Sequence, residues 1–487
     1  MNASVDYSDL LAVLHLSLVL VISIRVIMRR PATGVALTWL FVVSAIPFAG
    51  ALFYLLIGER RISRRRIRRI AERKVDYESL VRLGMDRDIT IVDWGKHPGE
   101  AKGMNLLGTN MIGFPTVSGS SGHLISDTEE MLDSIARDVD AAEHSVFMEF
   151  YIWNEGGKAD KVLDSLIRAA SRGVVCRVLV DSLGARPWWK GSQPEKLRQA
   201  GVHLAEALPV GLFRTFLDRT DLRVHRKIIV IDGKIAWTGS MNLVDPKYFK
   251  QDAGVGEWVD AMARMEGSVI VPLGLTLIGD WVLETDDSIE TLIRESRLST
   301  VEPKPGVDIQ VVPSGPGETD DGLLQMLLTT VNSADRELVL TTPYFIPDES
   351  LLRAMRGAAA RGVKVHLILP EKVDSVLTRY ASRSYYSELM EEGIQIHLYR
   401  GGLLHTKSIT ADQSITMFGT VNLDMRSIWI NYEVALFVYG HAVGEEVRAL
   451  QQTYIDDSLV IDAEEWETRS MAQRFFENVC RLASPLL

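Results

Sequence analysis

The sequence predicts an α/β protein in which two pseudo-twofold related α/β sandwich domains follow a transmembrane helical hairpin. Three observations lead to this. A run of 23 residues without a charged side chain, Val35 to Ile57, lies near the N-terminus. Strand-like and helix-like segments alternate from about residue 106 onward. One polar motif occurs twice in the same order. With 487 residues, 47% of them apolar and 24% charged, the chain has an ordinary globular composition, and its length suggests roughly three units of about 150 residues. Two cysteines, Cys176 and Cys480, are too few for a disulfide framework. Cys176, inside an apolar run, reads as a small buried hydrophobe.

The elements are justified in chain order. Val35 to Ile57 is long enough to span a hydrocarbon core of about 30 Å, and a membrane helix tolerates its Pro47 and Gly50. Leu10 to Met28, which carries His15 and Arg25, is a weaker span; Arg29 to Gly34 connects the two. A cleaved signal peptide needs a basic start, whereas the first 24 residues hold Asp6 and Asp9 and no Lys or Arg. The expected anchor is therefore residues 1–58. A basic belt and linker follow over 59–105. Between Arg60 and Lys74 stand nine basic residues and one acid, Glu72, on a chain whose net charge is −11. By the positive-inside rule this belt places the following domains in the cytoplasm, and it also suits an anionic membrane surface. The remaining residues sum to −19, which argues against nucleic acid as a partner.

The first α/β domain is expected over 106–300 and the second over 301–487, with Pro303, Pro305, Pro313 and Pro316 near the boundary. In the first, a strand from Ser145 to Trp153, a helix from Lys158 to Arg172, a stop at Gly173 and an apolar strand to Asp181 follow one another. The order returns from Glu337 to Phe345, through a helix to Arg361, a stop at Gly362 and a strand to Pro370. Arg172-Gly173-Val174 matches Arg361-Gly362-Val363. Two copies are too few for a solenoid and fit a pseudo-twofold pair.

The chemistry lies in the repeated motif H-x-K-x4-D-x6-G-[ST]-x-N. It is carried by His225, Lys227, Asp232, Gly239, Ser240 and Asn242, and again by His405, Lys407, Asp412, Gly419, Thr420 and Asn422. Six fixed positions match by chance on the order of 10⁻⁸ per start position. The His and Lys, two apart, share one side of an extended segment, and Asp232-Gly233 signals a hairpin turn. Two imidazoles, two ammonium groups and small polar donors, with no metal-ligand set and no cofactor motif, suit a phosphodiester. Lys227 and Lys407 would offset charge on its oxygens, with Ser240, Asn242, Thr420 and Asn422 as further phosphate-binding donors. One His would attack phosphorus and the other would serve as acid and base. Asp260 and Glu433, downstream of the two motifs, are candidates for orienting the histidines. Asp232 and Asp412 have fixed spacing and either join the catalytic set, shape the turn or pair with a Lys.

These residues resemble the paired HKD motif of the phospholipase D superfamily. The run from Met241 to Gly256, the segment Gly419 to Ser427, the terminal Ser484-Pro485-Leu486-Leu487 and the exit Gly58-Glu59-Arg60-Arg61 are similar to the bacterial cardiolipin synthase family. The resemblance covers essentially the whole chain and implies a reversible phosphatidyl transfer between two phosphatidylglycerol molecules, giving cardiolipin and glycerol through a phosphatidyl-histidine. It implies His225 as nucleophile, His405 as acid/base, no metal and no cofactor, at a bacterial cytoplasmic (inner) membrane with a multi-pass anchor. The residues themselves leave the order of the two histidines open, and a homo-oligomer is compatible with them. The alternatives are a phospholipase D that transfers to water, a transferase using another headgroup acceptor, a nuclease of the superfamily and a non-catalytic scaffold. Trp188-Trp189 and Leu212-Phe213 with Phe216-Leu217 either dip into the membrane interface or pack internally.

Overall fold

A computed structural model of the chain describes residues 7–30, 33–58, 89–210, 221–318, 321–482 and 484. It divides into two compact units, residues 1–67 with 210–221, and residues 68–209 with 222–487. The basic belt and the Leu212–Leu217 cluster lie outside the described residues.

In the first unit, Tyr7–Arg29 is one unbroken helix of 23 residues, long and apolar enough to cross a membrane. The uncharged run behind it is two helices, Thr33–Ala45 and Ala49–Ile57. This reverses the order expected from charge alone. Pro47 has no amide hydrogen, and its ring displaces the carbonyl four residues back, so the helix breaks and Phe48 takes a positive φ of 58°. The chain then passes so close that a Cβ on Gly50 would collide with the Val42 carbonyl oxygen. The three helices pack through Ile22, Val26, Val43, Ala51 and Tyr54, while Leu10, Phe41 and Phe53 remain exposed, as expected of a surface solvated by acyl chains.

The second unit is built on one sheet of fifteen strands among the described residues. Its two central strands, Val117–Ile125 and Val307–Ser314, pair antiparallel. Outward from the first run Met262–Gly267, Ile235–Gly239, Ile228–Ile231, Ser145–Phe150, Val175–Asp181 and His203–Ala207. Outward from the second run Glu433–Tyr439, Ile415–Gly419, Ser408–Ala411, Glu337–Thr341, Lys364–Pro370 and Gln395–Tyr399, with Ser458–Val460 added at the edge. Strand order and direction are the same in both halves, so the repeat read in the sequence is a repeat of topology. The halves are joined in one sheet instead of standing as separate bodies.

Local chemistry explains the repeat. The helices Ala159–Ser171 and Glu349–Ala360 each end in a residue pair that closes the last turn: Gly173 N donates to Ala170 O and Val174 N to Ala169 O, and Gly362 N donates to Ala359 O and Val363 N to Ala358 O. Gly173 and Gly362 have φ of 87° and 91°, a left-handed region that costs glycine nothing. The preceding arginines reach back, Arg172 to the Asp140 carbonyl and Arg361 to those of Asn332 and Ala334. Helix Gly99–Ile112, which falls across the expected linker boundary at 105, belongs to the core: Ala101 and Met104 are buried with Val312, Leu323 and Leu327. Its apolar positions are sparse, which is why periodicity does not reveal it. Trp188 is also internal, stacked on Trp153 at 4.8 Å with its Nε1 donating to Gln193. Cys176 is buried, and burial pushes its thiol up to about 12.

The motif aspartates sit at the far ends of their hairpins. Asp232 and Gly233 have φ of 55° and 63°, and Asp412 and Gln413 have 51° and 56°; two successive positive φ values mark the turn type that matches strand twist. Asp232 Oδ1 accepts from His144 N and Ser145 N, and its Oδ2 from Glu143 N. Asp412 repeats this with Arg336 N, Glu337 N and Asp335 N. Each carboxylate thus ties three amides at the entry of the neighbouring strand. Asp232→Ala and Asp412→Ala should each lower unfolding free energy by about 1–3 kcal/mol, seen as a lower thermal midpoint, with turnover of the folded fraction retained. Abolished turnover at unchanged stability would return these residues to the chemistry.

Candidate active site

The two motifs meet where the halves exchange chain. Each His precedes its strand in an extended segment that bonds to the opposite half. His225 N donates to Tyr432 O and Tyr432 N to Arg223 O, both at 2.8 Å. Leu403–Leu404 pairs with Trp258–Val259, and His405 N donates to Val259 O at 2.8 Å. This exchange carries the acids across. His225 Nδ1 lies 2.8 Å from Glu433 Oε2, and His405 Nδ1 lies 2.7 Å from Asp260 Oδ1. Each histidine is therefore oriented by the carboxylate that follows the other motif, a crossing that chain order does not display.

The electrostatics make both histidines neutral at pH 7. Burial lowers His225 to about 4 against the opposing pull of Glu433, and Lys227 and Lys407 add to the lowering. Burial likewise lowers His405 to about 4, helped by Lys407 and Lys227 and opposed by Asp260. That both lysines act on both histidines places all four groups in one site. Burial would raise Glu433 and Asp260, yet their histidines, lysines and hydroxyl donors together hold both below the usual carboxylate range. An ionised carboxylate accepting Nδ1–H fixes the tautomer with its lone pair on Nε2, and Nε2 has no hydrogen-bond partner among the described residues.

Lys227 and Lys407 are fully buried, and each donates to the carbonyl of its own motif histidine, Lys227 at 2.6 Å. Burial lowers Lys227 to about 8 and Lys407 well below its ordinary value. Two desolvated ammonium groups favour an incoming anion. Ser240 and Thr420, expected as phosphate donors, direct their hydroxyls at the acids: Ser240 Oγ to Asp260 and Thr420 Oγ1 to Glu433, both at 2.6 Å. Asn242 Oδ1 accepts from Ile152 N, leaving its buried Nδ2 without a partner among the described residues; Asn422 has an unpartnered buried Oδ1. Asp232 and Asp412 are not brought to the site.

Three features escape the motif. Aromatic rings wall each imidazole, Tyr151 at 5.0 Å from His225 and Trp258 at 4.4 Å from His405. Arg223, with Asp181 and Ser182, flanks the first. Arg226, buried between His225 and Lys227, donates to the Glu433 carbonyl at 2.8 Å, to Glu318 at 2.6 Å and to Asp280. Beside it Glu149 is fully buried, and burial raises it well above the carboxylate range. A fully buried strand, Ser145–Phe150, that nonetheless carries an acid was the available signal for this cluster.

A double α/β unit that brings two histidine–carboxylate pairs and two buried lysines together defines a phosphodiester-transfer enzyme of the phospholipase D type. The family model described as "Cardiolipin synthase, PLD-like domain" matches residues 135–254 and 327–454, and one described as "Phospholipase_D-nuclease N-terminal" matches residues 17–59. Cardiolipin synthase A of Erwinia tasmaniensis is 42% identical over 467 residues, covering 96% of each chain. That of Serratia proteamaculans is 42% identical over 470 residues, also covering 96% of each. The chain belongs to the cardiolipin synthase family of phospholipase D-like proteins. Among solved structures, a phosphatidylserine synthase from Haemophilus influenzae matches with a TM-score of 0.59 and 14% identity, over 79% of this chain and 100% of that one, a likeness of fold.

Two measurements test this geometry. Glu433→Gln and Asp260→Asn should each lower kcat by about 10²–10⁴-fold by releasing the tautomer, with the protein still folded; a change under threefold in either would remove the orienting role. The histidines' folded pKa near 4 lies below the unfolded value near 6.5, so the unfolded chain takes up protons first. Stability should fall as pH drops from about 6.5 toward 4, and His225→Asn with His405→Asn should flatten that slope of the urea midpoint. An unchanged slope would show that the histidines are not held neutral.

Proposed function

We propose that this protein is a cardiolipin synthase that transfers the phosphatidyl group of one phosphatidylglycerol to a second, releasing glycerol. The observation that carries this reading is the pair of neutral histidines, each tethered at Nδ1 by a carboxylate of the opposite half, beside two buried lysines. In the first step His225 Nε2 attacks phosphorus. The bond from phosphorus to the headgroup oxygen breaks, and His405 gives that oxygen its proton as glycerol leaves. His405, neutral in the free enzyme, takes up this proton at Nε2 from solvent as the anionic phosphodiester binds, with Asp260 offsetting the imidazolium. In the second step His405 takes the proton of the acceptor's primary hydroxyl. The new P–O bond forms as the P–N bond to His225 breaks, giving cardiolipin. Lys227, Lys407 and the Asn242 amide offset charge on the non-bridging oxygens in both steps. The assignment of His225 as nucleophile follows the family resemblance.

Membrane association suits the apolar N-terminal helices, and a multi-pass anchor in the bacterial cytoplasmic membrane with the α/β unit on the cytoplasmic side is the arrangement we favour. An anchored site meets two lipid headgroups at high effective concentration. No nucleic-acid substrate is invoked. Purified full-length protein supplied with phosphatidylglycerol alone should yield cardiolipin and glycerol in equal amounts on thin-layer and enzymatic analysis. Phosphatidic acid without cardiolipin would make the protein a hydrolase.

A further inference from the structure

We infer that the surface formed by helices Val376–Arg383 and Met471–Arg481 is a second, interfacial contact with the anionic lipid bilayer; this rests on the lipid substrate proposed above. The two helices pack on each other, with Tyr380 and Phe476 edge to face at 4.9 Å. The second exposes an apolar stripe although its inward side, with Cys480 and Phe476, also packs. Met471, Phe475, Val479 and Leu482 follow one stripe at helical spacing, and all are exposed, Met471 and Leu482 by more than four-fifths. The inward side carries Glu477, fully buried and bound to Arg383 at 2.9 Å and Arg469 at 2.5 Å. A helix that turns a carboxylate inward and its apolar stripe outward fits an apolar outer medium, not water. Val376 and Leu377 extend the exposed stripe onto the first helix.

Charge and position select the bilayer as the occupant. Residues 376–383 and 469–482 hold five arginines: Arg383 and Arg469 pair with Glu477, Arg474 with Glu467 at 2.8 Å and Arg481 with Glu388 at 2.9 Å, so with these partners counted the cluster of Arg379, Arg383, Arg469, Arg474 and Arg481 is net +2 on a chain of net −11. Apolar stripes flanked by arginine, whose long stems reach past the apolar surface, are the pattern of helices lying in a headgroup layer. The patch is also continuous with the catalytic rim. Helix Val376–Arg383 begins two residues after Asp374, which accepts from Tyr344 Oη at 2.8 Å and pairs with Lys250 at 3.0 Å. Lys250 Nζ lies 5.5 Å from the Trp258 ring, the ring that walls His405. A bilayer contact here would present headgroups at the mouth of the site.

The test uses full-length protein reconstituted in phosphatidylglycerol vesicles with brominated acyl chains. Phe475→Cys and Leu482→Cys carry a fluorophore, with Gln199→Cys, exposed in the first half, as control; the native cysteines are buried. Bromine should quench positions 475 and 482 at least twofold and leave 199 unaffected. Equal quenching at all three, or cross-linking of 475 between copies with no quenching, overturns the inference. Phe475→Glu with Leu482→Glu should lower turnover of long-chain vesicle lipid at least tenfold while sparing short-chain phosphatidylglycerol dispersed in detergent. Equal loss on both, or loss on neither, also overturns it. If the unaltered protein made no cardiolipin from either form, the proposed function would fail, and quenching alone would decide the bilayer contact.

Discussion

The constraint on which the rest depends is the crossing of the two histidine–carboxylate pairs. His225 borrows Glu433 and His405 borrows Asp260, so neither half holds a complete histidine–carboxylate pair. The reciprocal strand contacts, Val224 with Tyr432 and Leu403–Leu404 with Trp258–Val259, exist at the point where the acids must be handed over. The antiparallel pairing of Val117–Ile125 with Val307–Ser314 fuses the halves into one sheet and thereby fixes the distance across the dyad. Placing two lysines, two histidines and two acids in a buried site is costly unless each charge has a partner. Here the carboxylates and ammonium groups offset one another, and the histidines remain neutral.

The halves are alike in topology but not in chemistry. At the position between His and Lys, the first motif has Arg226, bound to Glu433's carbonyl, Asp280 and Glu318, while the second has Thr406, bonded to the Tyr454 hydroxyl at 3.0 Å. Aromatic walls differ too, Tyr151 against Trp258. Transfer through a covalent intermediate requires the two histidines to act differently at each moment, one bonded to phosphorus and the other moving a proton. A twofold frame with unequal surroundings supplies two similar imidazoles with different environments.

Much of this was legible in the sequence, for identifiable reasons. The doubled motif, the Gly173 and Gly362 stops and the Asp232-Gly233 turn are local features whose geometry follows from a few neighbouring residues. The two orienting acids are visible in the sequence, but their crossing depends on contacts between residues 208 and 145 positions apart in the chain, and no local pattern encodes it. Ser240 and Thr420 read in the sequence as phosphate donors, because a hydroxyl near a motif histidine looks free until its carboxylate neighbour is placed. Asp232 and Asp412 show the opposite case: fixed spacing in a catalytic string reflected the needs of a turn. Within the anchor, absence of charge overstated the second run, where Pro47 divides the helix, and understated the first, whose His15 and Arg25 leave a continuous helix of 23 residues.

In the proposed transfer the two histidines of the crossed pairs have separate duties, and the most direct measurement of this is to map the covalent intermediate. Full-length protein turning over phosphatidylglycerol is quenched rapidly and digested, and the phosphatidyl group is located by mass spectrometry. The label should stand on His225 and fall at least tenfold in Glu433→Gln, whose substituted residue lies in the opposite half. A label on His405, or a label on His225 that is insensitive to Glu433, would contradict the account.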